Sequence, residues 1–409
     1  MNTLDSELVA RLAVLREQAL YRQLRRVDSP QSRVIEMGGR SMLNFSSNDY
    51  LGLAAEPSLR EAALRAVEKF GAGAGASRLI SGSLAPHHEL EEALSEFKGT
   101  EAALSFSAGF AAAMGTICAL VGSEDVVILD KRVHASIVDA ARLSRAKLRV
   151  FAHNDLDDLE RILKWAVKHV GTAETPGTRR RRILVITESV FSMDGDHAPL
   201  REIVALKERH GAWLMLDEAH ATGLHGKNRR GLAERDGVSD CVEIQMGTLG
   251  KAIGAAGGFI AGSRVLIDYL INHARSFIFS TAPVPAAAAA ATAGVKFVSS
   301  PAGRERCESL WRLVRDPNLK SALPDSPPDS AILPIMLGDS SRALQIAEEL
   351  RARGMFVPAI RYPTVARGKA RLRLTITASH TAEDLKELAD ALTALSPGMA
   401  ARSDQPHCA

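Results

Sequence analysis

The sequence holds only four cysteines in 409 residues, at positions 118, 241, 307 and 408, and no two share a short spacing. A zinc-ligand cluster and a disulfide framework are therefore not indicated, and a reducing compartment fits. Neither sign of charge dominates, because 51 basic residues stand against 48 acidic ones, which argues against a broad nucleic-acid surface. The single basic run, Arg179 to Arg182, reads as a solvated loop edge ahead of an apolar strand. The N-terminal stretch mixes Asp5, Glu7, Arg11, Arg16 and Glu17 among its apolar residues, so it lacks the core of a secretion signal and a cytoplasmic location is expected. The long uncharged segment Ala102 to Gly122 has few large apolar side chains to drive membrane insertion, and it reads as a buried helix instead. No internal repeat is found.

Aromatic residues make up only 5% of the chain while apolar residues make up 46%, so the core must be built mostly from Ala, Leu, Val and Ile. The length favours a large domain, a smaller one and an arm. Residues 5 to 26 have the spacing of an amphipathic helix, with Leu8, Leu12, Leu15, Ala19 and Leu20 on one face. Gly38-Gly39 then predicts a turn between extended pieces at 33–37 and 41–45. Together, residues 1–45 form the expected arm.

Residues 46–295 alternate helical stretches with short apolar strands at 102–107, 126–129, 148–151, 183–187, 213–216, 243–246 and 258–261. This pattern predicts an α/β domain with a mainly parallel sheet. Several strands run straight into a polar residue, namely Asp130, Glu188, Asp217 or Thr248. Ligand crevices in such sheets lie beyond the carboxyl ends of the strands, so these residues are expected to converge. Residues 296–409 change texture, with strands expected at 332–337, 357–360 and 372–376 and helices at 340–353 and 381–395, a small α+β domain.

Three segments carry chemistry. Lys251 follows a strand within Gly247-Thr248-Leu249-Gly250-Lys251, where small neighbours let a flat ligand approach, its amine can form a Schiff base, and Thr248 can serve a phosphate. Alone this is weak, since lysines beside glycines are common at turns. Asp217 ends the strand Trp213-Leu214-Met215-Leu216-Asp217, and a protonated pyridine nitrogen would suit it. His220 follows three residues later; a helix-capping aspartate with a satisfied histidine explains this segment equally well. In Ser107-Ala108-Gly109-Phe110, between a strand and a helix, the backbone amides of Gly109 and Phe110 suit an anion. His134 could stack on an aromatic ring or be merely structural, and Ser192 alone reads as a turn residue.

Taken in order, Asn44-Phe45-Ser46-Ser47-Asn48-Asp49-Tyr50-Leu51-Gly52-Leu53, the Ser-Ala-Gly-Phe turn, His134, Phe191-Ser192-Met193-Asp194-Gly195-Asp196, Asp217-Glu218-Ala219-His220 and Thr248-Leu249-Gly250-Lys251 resemble the α-oxoamine synthases. These are fold-type I enzymes dependent on pyridoxal 5'-phosphate (PLP), and the resemblance covers roughly residues 10–395. It implies that Lys251 is the Schiff-base lysine, Asp217 the pyridinium partner and His134 the ring-stacking residue. It further implies that His220 and Ser192 attend the ring hydroxyl, and that Gly109, Phe110 and Thr248 attend the phosphate, with Ser280 and Thr281 supplied by the other subunit of a homodimer. Asn48, His134, Arg22, Arg361 and Thr364 match substrate positions, with Arg25 and Arg26 close to Arg22 in the arm.

The activity implied is an acyltransfer in which an amino acid and an acyl thioester condense with loss of carbon dioxide. Within the family the chain is most similar to the members that join L-alanine to a pimeloyl group carried by CoA or a carrier protein, on the path to biotin. Arginine holds carboxylates in a two-pronged geometry, so Arg361 suits acidic substrates. Tyr362 also resembles the 5-aminolevulinate synthases, which use glycine and succinyl-CoA; glycine C-acetyltransferase is another relative with the same chemistry. A nucleotide-driven motor is the rival from a different class, since Asp217-Glu218-Ala219-His220 spells a helicase box. A phosphate loop, however, needs glycine six residues before its lysine and Ser or Thr after it, where this chain has Gln245 and Ala252. No metal site is expected.

Overall fold

The computed structural model describes residues 2–170, 181–327 and 329–400. Arg179 and Arg180 of the basic run lie outside the described residues. The first helix spans Thr3–Glu17 and buries none of its residues. The expected helix to residue 26 stops early because Ala19 turns into the left-handed region at φ 54°. The N–H groups of Leu20 and Tyr21 both fold back onto the Leu15 carbonyl, at 2.8 and 3.0 Å. This turn buries Leu20, whereas Leu8, Leu12 and Leu15 stay exposed. Strands β1 (Val34–Met37) and β2 (Arg40–Asn44) then pair as a hairpin around Gly38 and Gly39, both at positive φ.

Seven strands follow: β3 (Ala102–Phe106), β4 (Val126–Asp130), β5 (Lys147–Phe151), β6 (Ile183–Glu188), β7 (Trp213–Asp217), β8 (Ile244–Thr248) and β9 (Gly258–Gly262). They form one sheet in the order β3-β9-β8-β7-β6-β4-β5. Only β9 runs against its neighbours, as its antiparallel pairing with β3 and β8 requires. Every residue of β3, β4, β6 and β9 is buried. That explains why these strands read as continuous apolar runs, since a sheet covered on both faces has no solvent side to mark by alternation.

Four more strands, β10 (Ile332–Gly338), β11 (Met355–Phe356), β12 (Ala359–Ile360) and β13 (Ala370–Thr375), complete the chain. Antiparallel β10-β13-β12 forms a second sheet, and β11 joins β2 in a third. The strand expected over 357–360 is therefore cut down to β12 at its second half. Pro358, which has no N–H to donate to a ladder, separates β11 from β12, and the two enter different sheets.

The fold is α/β with a large, mainly parallel sheet, and it divides into two compact units. One contains the described residues up to Gly52, Met193–Gly195 and those from Glu308 onward; the other contains Leu53–Ser192 and Asp196–Cys307. This differs from the three-way expectation of 1–45, 46–295 and 296–409. The helix Pro285–Ser299 runs past residue 295, and the Cys307 thiol donates to the Leu224 carbonyl at 3.3 Å, which keeps residues 296–307 with the large sheet.

Candidate active site

Three strands of the large sheet, β6, β7 and β8, end side by side at Glu188, Asp217 and Thr248, and all three residues line one cavity. Gly109, Phe110, His134, Ser192, His220 and Lys251 line it too. Nine residues singled out in the sequence, Glu188 among them, are thus brought together from segments distant along the chain. Asp130, at the end of β4, does not join them. Its carboxylate instead faces His153 Nδ1 at 3.0 and 3.2 Å and accepts the Arg132 and Asn154 N–H groups.

Lys251 stands in the turn after β8. That turn is closed by hydrogen bonds from Gly254 N–H to the Lys251 carbonyl, 2.9 Å, and from Ala255 N–H to the Leu249 carbonyl, 2.8 Å. Behind it the alanine-rich helix Pro285–Ser299 approaches so closely that a Cβ on Gly294 would lie 2.2 Å from the Ile253 carbonyl oxygen. Small residues on this helix therefore hold the lysine turn in place. Lys251 Nζ lies 2.9 Å from His220 Nε2.

Asp217 is buried, and its Oδ1 accepts the Ala219 N–H at 2.9 Å. Burial pushes its pKa up, while the Lys251 charge and the Ala219 N–H oppose the rise. His134 precedes the helix Ala135–Leu143 and caps it, with Nδ1 accepting the Ser136 N–H at 3.2 Å. Burial lowers its pKa, so the imidazole is neutral at pH 7 and, with Nδ1 used as an acceptor, carries its proton on Nε2.

The other wall begins the helix Gly109–Leu120, whose N-cap, Ala108, offers no side-chain acceptor. Its first amides and its dipole therefore favour an anion, with the Thr248 side chain alongside. The approach is possible because β9 carries Gly258, where a Cβ would lie 2.6 Å from the Gly109 nitrogen. Amine, buried carboxylate, neutral imidazole and anion cradle are the donor set that a phosphorylated pyridine aldehyde requires, so the residues present fit PLP.

Ser192 lies in a turn closed by Phe191 N–H to the Asp196 carbonyl and by Ala198 N–H to the Ser189 carbonyl, each 3.0 Å. Its own N–H donates to Glu188 Oε2 at 3.1 Å. Glu188 reaches the cavity as its strand-end position predicts, although the sequence gives it no role there, whereas Ser136 also lines the cavity and has no signal in the sequence. Ser280 and Thr281 lie outside this cavity, lining a small separate pocket with Arg78, and Thr281 bridges to Ser77.

The remaining candidates belong to the other unit. Arg22 donates to the Tyr362 carbonyl at 3.3 Å and to Thr364 Oγ1 at 3.4 Å, and Arg361 donates to the carbonyls of Ala19 and Tyr21. Arg22 and Arg361, but not Thr364, line a cleft of about 570 Å³ that gathers Arg16, Arg22, Arg25, Arg351 and Arg361 around Tyr21 and Phe356, with Glu348 on its wall. Burial, then the charges of Arg22 and Arg25, lower the pKa of Arg361. Asn48 is not at the cleft; its Oδ1 accepts from Arg373 at 3.1 Å and from the Tyr50 hydroxyl at 3.3 Å. Among the described residues, no His, Cys, Asp and Glu group could hold a metal ion, and no helix is long and apolar enough to cross a membrane.

Comparison with known proteins agrees with this geometry. Residues 40–392 match the family described as aminotransferase class I and II. The 8-amino-7-oxononanoate synthase of Anaeromyxobacter dehalogenans is 46% identical over 391 residues, covering 95% of each protein. A serine palmitoyltransferase from S. paucimobilis, solved with bound PLP and myriocin, superposes with a TM-score of 0.88 at 30% identity, covering 98% of this chain and 99% of that one. The 8-amino-7-oxononanoate synthase of Francisella tularensis superposes with a TM-score of 0.72 at 26% identity, over 87% of this chain and 98% of that one.

Proposed function

This chain belongs to the class I and II aminotransferase family, in its α-oxoamine synthase branch, and from that membership we propose that it condenses L-alanine with a pimeloyl thioester. The products are 8-amino-7-oxononanoate, carbon dioxide and the free thiol, a step in biotin formation, and the enzyme is a PLP-dependent acyltransferase. The observation that carries the reading is the meeting of Lys251, Asp217, His134, His220 and an uncapped helix start in one cavity.

PLP, when bound, supplies an aldehyde that captures an amine and a pyridine ring that draws negative charge from the α-carbon. Lys251, whose amine lines the cavity, would be the residue to hold PLP, and as a free amine it would be the base that takes the α-proton. His220, 2.9 Å from Lys251 Nζ, hydrogen-bonds and orients that amine. Asp217, at its buried strand end, would pair with the pyridine nitrogen and keep it protonated. His134, kept neutral by burial, would offer its ring face to PLP and its Nε2–H as a donor to the acyl oxygen. Ser192 and His220 serve the ring hydroxyl; Gly109, Phe110 and Thr248 serve the phosphate.

We assign the acyl donor to Arg22, Arg361 and Thr364, with Asn48 as a further substrate contact. Five guanidinium groups against one carboxylate in the cleft support an acidic substrate. The enzyme is read as a cytoplasmic homodimer in which Ser280 and Thr281 complete the phosphate site of the partner.

Thiol release tests the proposal. L-alanine with pimeloyl-CoA is expected to outpace glycine with acetyl-CoA or succinyl-CoA, and Lys251→Ala to abolish it. Preference for a glycine pair would overturn the substrate assignment while leaving the family intact; turnover only with a pimeloyl carrier protein would identify the carrier.

A further inference from the structure

Glu188 lines the cavity, and nothing above gives its carboxyl group a role. It ends β6 directly in register with Asp217 at the end of β7, so two carboxyl groups occupy neighbouring parallel strand ends. Both are buried, at 2% and 6% exposure. Like charges held this close in a desolvated site do not both ionise. The two oxygens of Glu188 differ: Oε2 accepts the Ser192 N–H at 3.1 Å, whereas Oε1 is buried with no hydrogen-bond partner among the described residues. A carboxylate in that setting is penalised far more than a carboxylic acid.

We propose that Glu188 occupies the site as a neutral carboxylic acid, leaving the negative charge of the pair on Asp217 and placing a hydrogen-bond donor beside the cofactor. The inference rests on the reading of this cavity as the PLP site.

The surroundings decide which partner keeps the proton. Asp217 is served by the Ala219 N–H and faces the Lys251 cation, both of which favour its ionised form against burial and the Glu218 charge. For Glu188, burial and then the Asp217 charge push the pKa up to about 8, opposed by Lys251 and by the N–H groups of Ser192 and His134. At neutral pH the Glu188 proton therefore protects the ion pair that Asp217 makes with the pyridine nitrogen. It also keeps the Ser192 turn anchored through Oε2. Ionising Glu188 would set two anions side by side. Glu188 is thus a positioning residue, acting through Asp217 and Ser192.

The test is PLP affinity measured by fluorescence between pH 6.5 and 9.5, with thermal unfolding as the control for folding. Wild type is expected to lose affinity by about tenfold as pH passes the Glu188 midpoint. Glu188→Gln keeps the size, an acceptor for Ser192 and a donor but cannot ionise, so it should match wild type at pH 7 and hold its affinity through the alkaline range. A folded Glu188→Gln protein that loses PLP at pH 7, or that keeps the alkaline loss unchanged, overturns the proposal. Infrared titration of the wild-type protein gives a measurement independent of that variant. A protonated carboxyl carbonyl band at pH 7 that bleaches above pH 8 supports the proposal, and no such band refutes it. Wild type that binds no PLP at any pH would instead refute the reading of the site itself.

Discussion

Lys98 Nζ and Glu218 Oε2 meet at 2.6 Å with each side chain only 1% exposed, immediately beside the strand-end Asp217. Lys98 also donates to the Arg230 carbonyl, and Glu218 Oε1 accepts the Ala233 N–H at 3.0 Å. Removing one partner strands a buried charge, so Lys98→Met or Glu218→Gln should each cost about 3–5 kcal/mol in urea unfolding of the holoenzyme. The double replacement with two methionines should recover most of that loss. Single variants within about 1 kcal/mol of wild type would mean the pair contributes no more than a surface bridge.

Gly258→Ala probes the anion cradle without touching a charged group. Its Cβ would press on the first residue of the helix Gly109–Leu120, 2.6 Å from the Gly109 Cα and nitrogen. Equilibrium dialysis should show PLP affinity weakened at least about tenfold, while circular dichroism stays that of wild type. Undiminished affinity would show that the Gly109 amides do not hold the phosphate.

Arg361→Ala should raise KM for the acyl thioester by about tenfold or more with a smaller change in kcat, the pattern of lost substrate binding. Arg361→Lys should recover only part, because a point charge lacks the guanidinium fork. A pure kcat defect in steady-state assays would remove Arg361 from the acyl site.

His153 gives a pH dependence of stability. Burial alone would lower its pKa, but hydrogen bonds to Asp130 and Asp196, and their charges, raise it to about 9. A pKa raised in the folded protein means stabilisation that is complete below the unfolded value of about 6.5 and lost as pH rises through about 9. Allowing for solvent screening at a side chain that is 13% exposed, the contribution is about 2 kcal/mol. The melting temperature of wild type should therefore exceed that of His153→Asn at pH 6 and converge with it by pH 10. A constant gap would exclude His153 ionisation as the cause.

Much of the large sheet was legible because its strands are short apolar runs ending in a polar residue, and burial on both faces imposes that signature. What lay out of reach depends on contacts far apart in sequence. Asp130 has the same strand-end setting as Asp217, yet pairs with His153, a partner no local pattern nominates. The N-terminal helix was overextended because Leu20 keeps helical spacing with Leu12 and Leu15, although the chain buries it by turning at Ala19. Glu188 had a readable position, but its ionisation depends on register with Asp217, which only the sheet establishes. Ser280 and Thr281 lie outside the cavity of their own chain, so no intrachain contact there can report on them.

Gly109 and Lys251 stand at opposite ends of the stretch that builds β4 to β8, so their cavity has no local precursor. Parallel strands joined by crossovers close late, and only the completed sheet brings the two residues to one place. A ligand that needs both ends can capture the native chain but not its unfolded ensemble. Free cofactor thereby acts on the folding equilibrium itself: at a hundredfold excess over its Kd it adds about 2.7 kcal/mol to the native state. As free cofactor falls towards its Kd, the first expected effect is a shortened lifetime against proteolysis, ahead of any large fall in the occupied fraction of the folded molecules.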